Sequence, residues 1–208
     1  MLIRSAQVND IKNLFPSIQR VCDFHQSLDL DRYNFLPNQG KLYEKWLQKL
    51  LQDSRHLCLV AEAEVPTQLV AYTIATVESE IPIYHLKEYG YIHDLWVEEP
   101  YRHRGIAKQM VMQTVSHFQQ LGIKQIRLNN LVSNDVAFKL YTACGFRAST
   151  VEMLYTFNWS TFNWSKFEQM ALVNLLNQII FQSVDKRGNQ FFEITKCCLI
   201  TSKRVQFQ

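Results

Sequence analysis

Between Ala107 and Leu121, apolar or small side chains recur at Ala107, Met110/Val111, Thr114, Phe118 and Leu121, and Gly122 follows. Spacings of three and four put these positions on one side of an α-helix, and a glycine just past the last of them is a stop signal. Strand-like segments flank the helix: Gly90 to Val97 before it, and Lys124 to Leu128, alternating polar and apolar, after it. A strand, an amphipathic helix and a second strand in immediate succession predict a βαβ crossover, the connection that parallel neighbours require.

The rest of the chain adds elements around that crossover. Residues 2 to 6 read as a short strand, and Asp10 is placed to cap a helix with Ile11, Leu14, Phe15, Ile18 and Val21/Cys22 on its apolar side. A second helix is expected over residues 41 to 52, after a polar and aromatic connection from Asp29 to Gly40 that is long for a plain link. His56 to Ala63 and Gln68 to Val77 read as strands joined by Glu64 to Thr67 into an antiparallel hairpin. Asn134 is placed to cap a short helix through Ala137, Leu140, Tyr141 and Cys144, which Gly145 ends, and a last strand is expected from Ser149 to Phe157. The order is that of a mixed α/β layer fold.

Composition bounds the function. With 22 Lys+Arg against 19 Asp+Glu the net charge is +3, and no run of five or six basic residues points to nucleic acid or an anionic membrane. The most apolar stretches are interrupted well before the ~18–20 residues a membrane span needs, and the first residues lack a signal-peptide core. Five scattered cysteines without a CxxC pair read as the reduced thiols of a cytoplasmic protein. The histidines carry no metal-ligand spacing, so no metal is expected.

The segment Arg102-His103-Arg104-Gly105-Ile106-Ala107 lies between the strand Gly90 to Val97 and the central helix. A small-residue turn lets backbone N–H groups approach an anion, and the helix N-terminus adds its positive end. By itself such a turn is weak evidence against an ordinary exposed loop, and neither a nucleoside-triphosphate loop nor a dinucleotide fingerprint is present. Taken with Tyr91-Ile-His-Asp-Leu-Trp-Val97 before it and Asn134-Asp-Val-Ala-Phe-Lys-Leu-Tyr141-Thr-Ala-Cys-Gly-Phe146 after it, in that order, the chain resembles the GCN5-related N-acetyltransferase (GNAT) superfamily over residues 2 to 157.

The resemblance implies a GNAT-like α/β (α+β) fold: a mixed, mostly antiparallel central sheet flanked by helices, here with a C-terminal helix-strand extension. It implies acetyl transfer from acetyl-CoA to a primary amine of a small molecule, polyamine or peptide, by direct attack within a ternary complex. In the family the RHRGIA turn binds the CoA pyrophosphate, so Arg102, His103, Arg104, Gly105, Ile106 and Ala107 match that role, with Ala107 standing where many members have glycine. Leu95, Trp96 and Val97 match the strand whose backbone pairs with the pantetheine arm. Asn134 matches a cofactor-binding position and competes with its own capping role. Tyr141 matches the general acid that protonates the departing thiolate, against a packing role.

The base is open. Strict alternation puts Tyr91, His93, Leu95 and Val97 on one face of the strand, with Asp94 and Trp96 on the other. His93 stands where the locally similar polyamine acetyltransferases carry glutamate. It is the first candidate for a direct or water-mediated base, with Asp94 second and a satisfied core histidine as the plain alternative. His25, Tyr33, Phe35, Glu78, Glu80 and Tyr84 are candidates for the acceptor side, where acidic and aromatic groups suit a cation. A rival reading is a non-catalytic CoA-binding regulatory or assembly module. A third, stacking of nucleic acid on Trp159 and Trp164, has only a few charges behind it.

The charge is unevenly placed. Residues 1 to 155 hold 16 basic and 16 acidic residues, so the excess of three lies in residues 156 to 208. That segment opens with the tandem Thr156-Phe-Asn-Trp-Ser160 and Thr161-Phe-Asn-Trp-Ser165 and reads as a helix near 166 to 181 and a strand near 190 to 200. The expected division is a catalytic domain, 1–157, and an extension, 158–208, that can serve a homodimer.

Overall fold

The structure is a computed structural model that describes residues 1–63 and 68–157. A five-stranded sheet runs in the order β1 (Leu2–Ser5), β2 (Leu57–Glu62), β3 (Leu69–Ser79), β4 (Glu88–Val97), β5 (Ile126–Leu128). The first three pairings are antiparallel and β4 with β5 is parallel, as the central crossover requires. Helices α1 (Ile11–Leu28) and α2 (Gln39–Leu50) cover one face, α3 (Ile106–Gln120) covers the other, and α4 (Asp135–Ala143) follows β5.

Each face has its own apolar layer, and both follow from side-chain periodicity. Ile11, Leu14, Ile18, Val21 and Cys22 of α1 and Leu47 and Leu50 of α2 pack with Cys58, Val60, Tyr72 and Ile74. Ile106, Met110 and Phe118 of α3 pack with Leu59, Ala61, Ala75, Ile92 and Val97. The α3 stripe is the expected one shifted by a residue at its start, since Ile106 is buried while Leu121 is 37% exposed. Gly122, at φ 76°, ends α3 with the Ile123 N–H returning to Phe118 O at 3.0 Å, a left-handed stop that a side chain would strain. Gly90 is required for a different reason: a Cβ there would lie 2.5 Å from the buried Phe118 ring.

Three expectations are corrected. Asp10 sits at the start of α1 but its carboxylate does not cap the helix. It accepts the Gln7 N–H at 2.7 Å and both terminal nitrogens of Arg4, which also binds Glu62, because a guanidinium fork competes better for a carboxylate than a helix N–H does. Residues 149–157 form no strand: they are exposed and have no ladder partner among the described residues. The third correction, the faces of β4, concerns the site itself. The hairpin connection 64–67 and the whole of 158–208, with its repeat, helix and strand, lie outside the described residues. Among the described residues no helix is long and apolar enough to cross a membrane.

Candidate functional site

The β4 strand breaks its alternation at His93. Ile74 of β3 pairs with Asp94 and the next residue, Ala75, pairs with Ile92, so His93 is an extra residue bulged from the ladder. One inserted residue reverses the phase of everything after it. Tyr91, His93, Asp94 and Trp96 therefore face α1 and α2, whereas Leu95 and Val97 join Ile92 on the α3 face. Strict alternation had separated His93 from Asp94, and the bulge brings them to one side.

The same place is where β4 loses its second neighbour. Pairing with β5 ends at Ile92 and Leu128, while β4 continues to Val97. Residues 93–97 thus present a main-chain edge on the β5 side, open to an extended chain of amides. His93 as a residue is exposed although its side chain is only 29% exposed, so its main chain is proportionally the more accessible part.

Beyond Val97, a single 3₁₀ turn (Glu99–Tyr101) leads to the basic segment. His103 has φ 60° and Gly105 φ 77°, two left-handed residues separated by Arg104, a backbone alternation of the kind that lets successive N–H groups converge on an anion. Gly105 is the N-cap of α3 and supplies no side chain to it. The first helical bond is Gln109 N–H to Gly105 O at 3.0 Å, so the N–H groups of Ile106, Ala107 and Lys108 precede the ladder. The Arg102 N–H is already given to Glu99 O at 3.2 Å. The two guanidinium groups brace the turn: Arg102 Nε donates to Val97 O at 3.0 Å with its head over the Trp96 ring, and Arg104 donates to Pro100 O at 3.0 Å over Tyr101.

At the start of α4, Asn134 accepts the Ala137 N–H at 3.2 Å, which realises its capping role and leaves its amide NH₂ free for another partner. Tyr141 packs edge-on against Phe146, and burial pushes its phenol well above the ordinary range, with Asp94 and Cys144 adding to the rise. A phenol so placed keeps its proton at neutral pH. Asp94 is 8% exposed, its Oδ2 has no hydrogen-bond partner, and burial pushes its carboxyl up to about 6 against the opposing hydrogen bond from Tyr43.

His93 lies in a ring of contacts. Its edge-on neighbours are Tyr91 at 4.8 Å and Trp46 of α2 at 5.1 Å between ring centroids. Its Nε2 is 2.7 Å from Thr76 Oγ1, and Glu78 Oε1 lies 3.7 Å away. Burial holds its pKa below the ordinary value, with Glu78 opposing, so the ring is neutral and able to accept a proton at pH 7. Of the expected acceptor-side residues, His25 stacks on Tyr33 at 4.9 Å and Tyr33 meets Phe35 at 5.7 Å. Glu80 is instead 2.6 Å from Arg127, and Tyr84 is an exposed loop residue. Thr76, Trp46 and Tyr43 are absent from the sequence reading; only the bulge and the docking of α2 bring them to β4. A cleft of about 790 Å³ between α1 and residues 96–102 reaches Trp96 and Arg102 but none of His93, Asn134 and Tyr141. Among the described residues no cluster could hold a metal ion.

Comparison with known proteins agrees with this architecture. The chain is 33% identical over 69 residues to the uncharacterized N-acetyltransferase YycN of Bacillus subtilis, covering 33% of this chain and 44% of that protein. It is 40% identical over 57 residues to the N-alpha-acetyltransferase MAK3 of Arabidopsis thaliana, covering 27% and 30% respectively. The matches thus span less than half the length of either relative. The BH1408 protein of Bacillus halodurans, solved as a tetramutant, superposes with a TM-score of 0.66 over 76% of this chain and 100% of that one, at 24% identity. Glucosamine-6-phosphate N-acetyltransferase of Arabidopsis thaliana does so with 0.54 over 76% and 98%, at 18%. The model of the Acetyltransferase (GNAT) family matches residues 21–146, more than half of the sequence, and the chain belongs to that family.

Proposed function

We propose that this protein is an acetyl-CoA-dependent N-acetyltransferase with residues 1–157 as its catalytic unit. The observation that carries the reading is the succession along the chain of a β4 edge left open at 93–97 and a turn with left-handed His103 and Gly105 that starts α3 without a side-chain cap. Tyr141 on α4 supports it as the matching acid. Family membership supports the chemistry.

The residues fit acetyl-CoA. The N–H groups from His103 to Ala107 would hold its pyrophosphate, the β4 edge at Leu95, Trp96 and Val97 would hold its amide arm, and Asn134 would add a side-chain contact. When bound, acetyl-CoA supplies a thioester-activated acetyl group and a thiol leaving group. The protein's own part is proton handling and orientation. An ammonium acceptor, with a pKa near ~10, must lose a proton before it can attack. His93 takes that proton directly or through water; its ring reaches solvent, which the buried Asp94 carboxyl does not. Tyr141 holds a proton on its hydroxyl for the departing sulfur. The His25, Tyr33 and Phe35 stack forms the acceptor wall, suited to an amine-bearing small molecule or to a peptide amine, the name of the Arabidopsis relative specifying an N-alpha acceptor for that protein.

Thiol release from acetyl-CoA with a panel of polyamines, amino acids, aminoglycosides and peptides tests the proposal. Amine-dependent release is expected, and Tyr141→Phe should lower kcat by roughly 10²–10⁴-fold while leaving CoA affinity within a few-fold. Tight CoA binding with no turnover on any amine would instead support a non-catalytic binding module.

A further inference from the structure

We propose that Thr76 and Glu78 are positioning residues that fix His93 as its Nε2–H tautomer and so make Nδ1 the proton-accepting atom. The inference rests on the reading of His93 as the base and goes beyond it by naming the atom and the groups that select it.

The argument is a count of protons and lone pairs. Thr76, 4% exposed, places its Oγ1 2.5 Å from Glu78 Oε1 and 2.7 Å from His93 Nε2. Nε2 and Oε1 are 3.7 Å apart, too far for a direct hydrogen bond, so the hydroxyl mediates between them. A hydroxyl has one proton to give, and an ionised carboxylate can only accept. The Thr76 O–H therefore goes to Glu78, and the remaining Thr76 lone pair accepts from His93 Nε2–H. A neutral imidazole protonated at Nε2 carries its free lone pair on Nδ1. Among the described residues Nδ1 makes no hydrogen bond, and Trp46 and Tyr91, packed edge-on, limit the ring's other orientations.

The relay also carries charge. When Nδ1 takes a proton, the imidazolium is stabilised through Thr76 by the Glu78 carboxylate, which offsets the cost of partial burial. The titratable groups facing the ring are Glu78 from β3, Tyr91 from β4 and, at longer range, His56 ahead of β2, whose charge would oppose a second one. The bulge is what makes this arrangement: in the ladder Thr76 stands opposite Tyr91, and the extra residue swings His93 over the same threonine.

The tautomer can be read without any acceptor, from long-range ¹H–¹⁵N correlation spectra of the full chain labelled in its histidine rings, with His93 identified by the signal lost in His93→Gln. The neutral ring should show Nε2–H in the wild type. Thr76→Val should admit the Nδ1–H form and lower the ring's pKa by about one unit, Thr76→Ser should restore both, and Glu78→Gln, whose amide can donate as well as accept, should lower the pKa and admit the Nδ1–H form in part. A wild-type ring protonated at Nδ1, or a tautomer unchanged in a folded Thr76→Val protein, overturns the proposal. With an amine that turns over, the acid limb of kcat/KM should move to lower pH in Thr76→Val and in Glu78→Gln and return in Thr76→Ser. A tautomer that shifts while the rate profile stays fixed overturns the positioning role together with the base assignment. An acid limb lost in His93→Gln but with the wrong wild-type tautomer leaves His93 as base and overturns only the relay.

Discussion

Asp94 shows how one buried carboxyl couples site to stability. Its side chain faces Tyr43 and the thiols of Cys22 and Cys58, with no cation acting on it among the described residues, and burial pushes it up to about 6. An unfolded aspartate titrates near ~3.9, so between about pH 4 and 6 the folded chain binds the extra proton. Stability then falls as pH rises through that window and levels off above it, the reverse of a salt-bridged carboxylate. The stability difference between wild type and Asp94→Asn, read by denaturant unfolding, should shrink by up to about 3 kcal/mol between pH 4 and pH 7, the comparison cancelling the opposite contribution of His25 and His93, whose pKa values burial lowers. The Asp94 environment could not be read from Tyr-Ile-His-Asp-Leu-Trp-Val, because a carboxylate in a strand looks the same whether it meets solvent or a tyrosine from α2.

Among the elements, α3 and its flanking strands are the most legible, since a helical stripe ended by glycine between two strand-like segments admits little else. The β4 bulge is the least legible. Nothing in its residue types marks His93 as the inserted one; the register is decided by pairing with β3, and the two faces after it are reversed as a result. The faces of β4 on either side of the bulge make a packing prediction. Gly90 lies on the α3 face against the buried Phe118 ring, so Gly90→Ala should cost about 1–3 kcal/mol, read as a lowered melting temperature and denaturation midpoint. A glycine that appeared only as the first residue of a strand is there to let α3 approach the sheet.

For the whole molecule, the proposed cosubstrate would touch β4, the turn before α3 and α4 at once. Binding to the folded state alone stabilises it by mass action, about 2.7 kcal/mol at 100-fold over Kd. Acetyl-CoA should therefore raise the melting temperature of the full chain in a concentration-dependent way. Gly105→Val, which forces a β-branched side chain to φ 77°, should abolish most of that shift. The sequence alone determined the order of elements from β1 to α4, the family resemblance and the basic turn, because periodicity, glycine stops and short contiguous motifs are local properties of the chain. Tertiary structure decided which face His93 and Asp94 share, where β4 loses its neighbour, that Thr76 and Trp46 flank the proposed base and that Tyr43 meets Asp94. Those depend on register and on the docking of α2, contacts between residues distant in the chain whose energies no single segment contains.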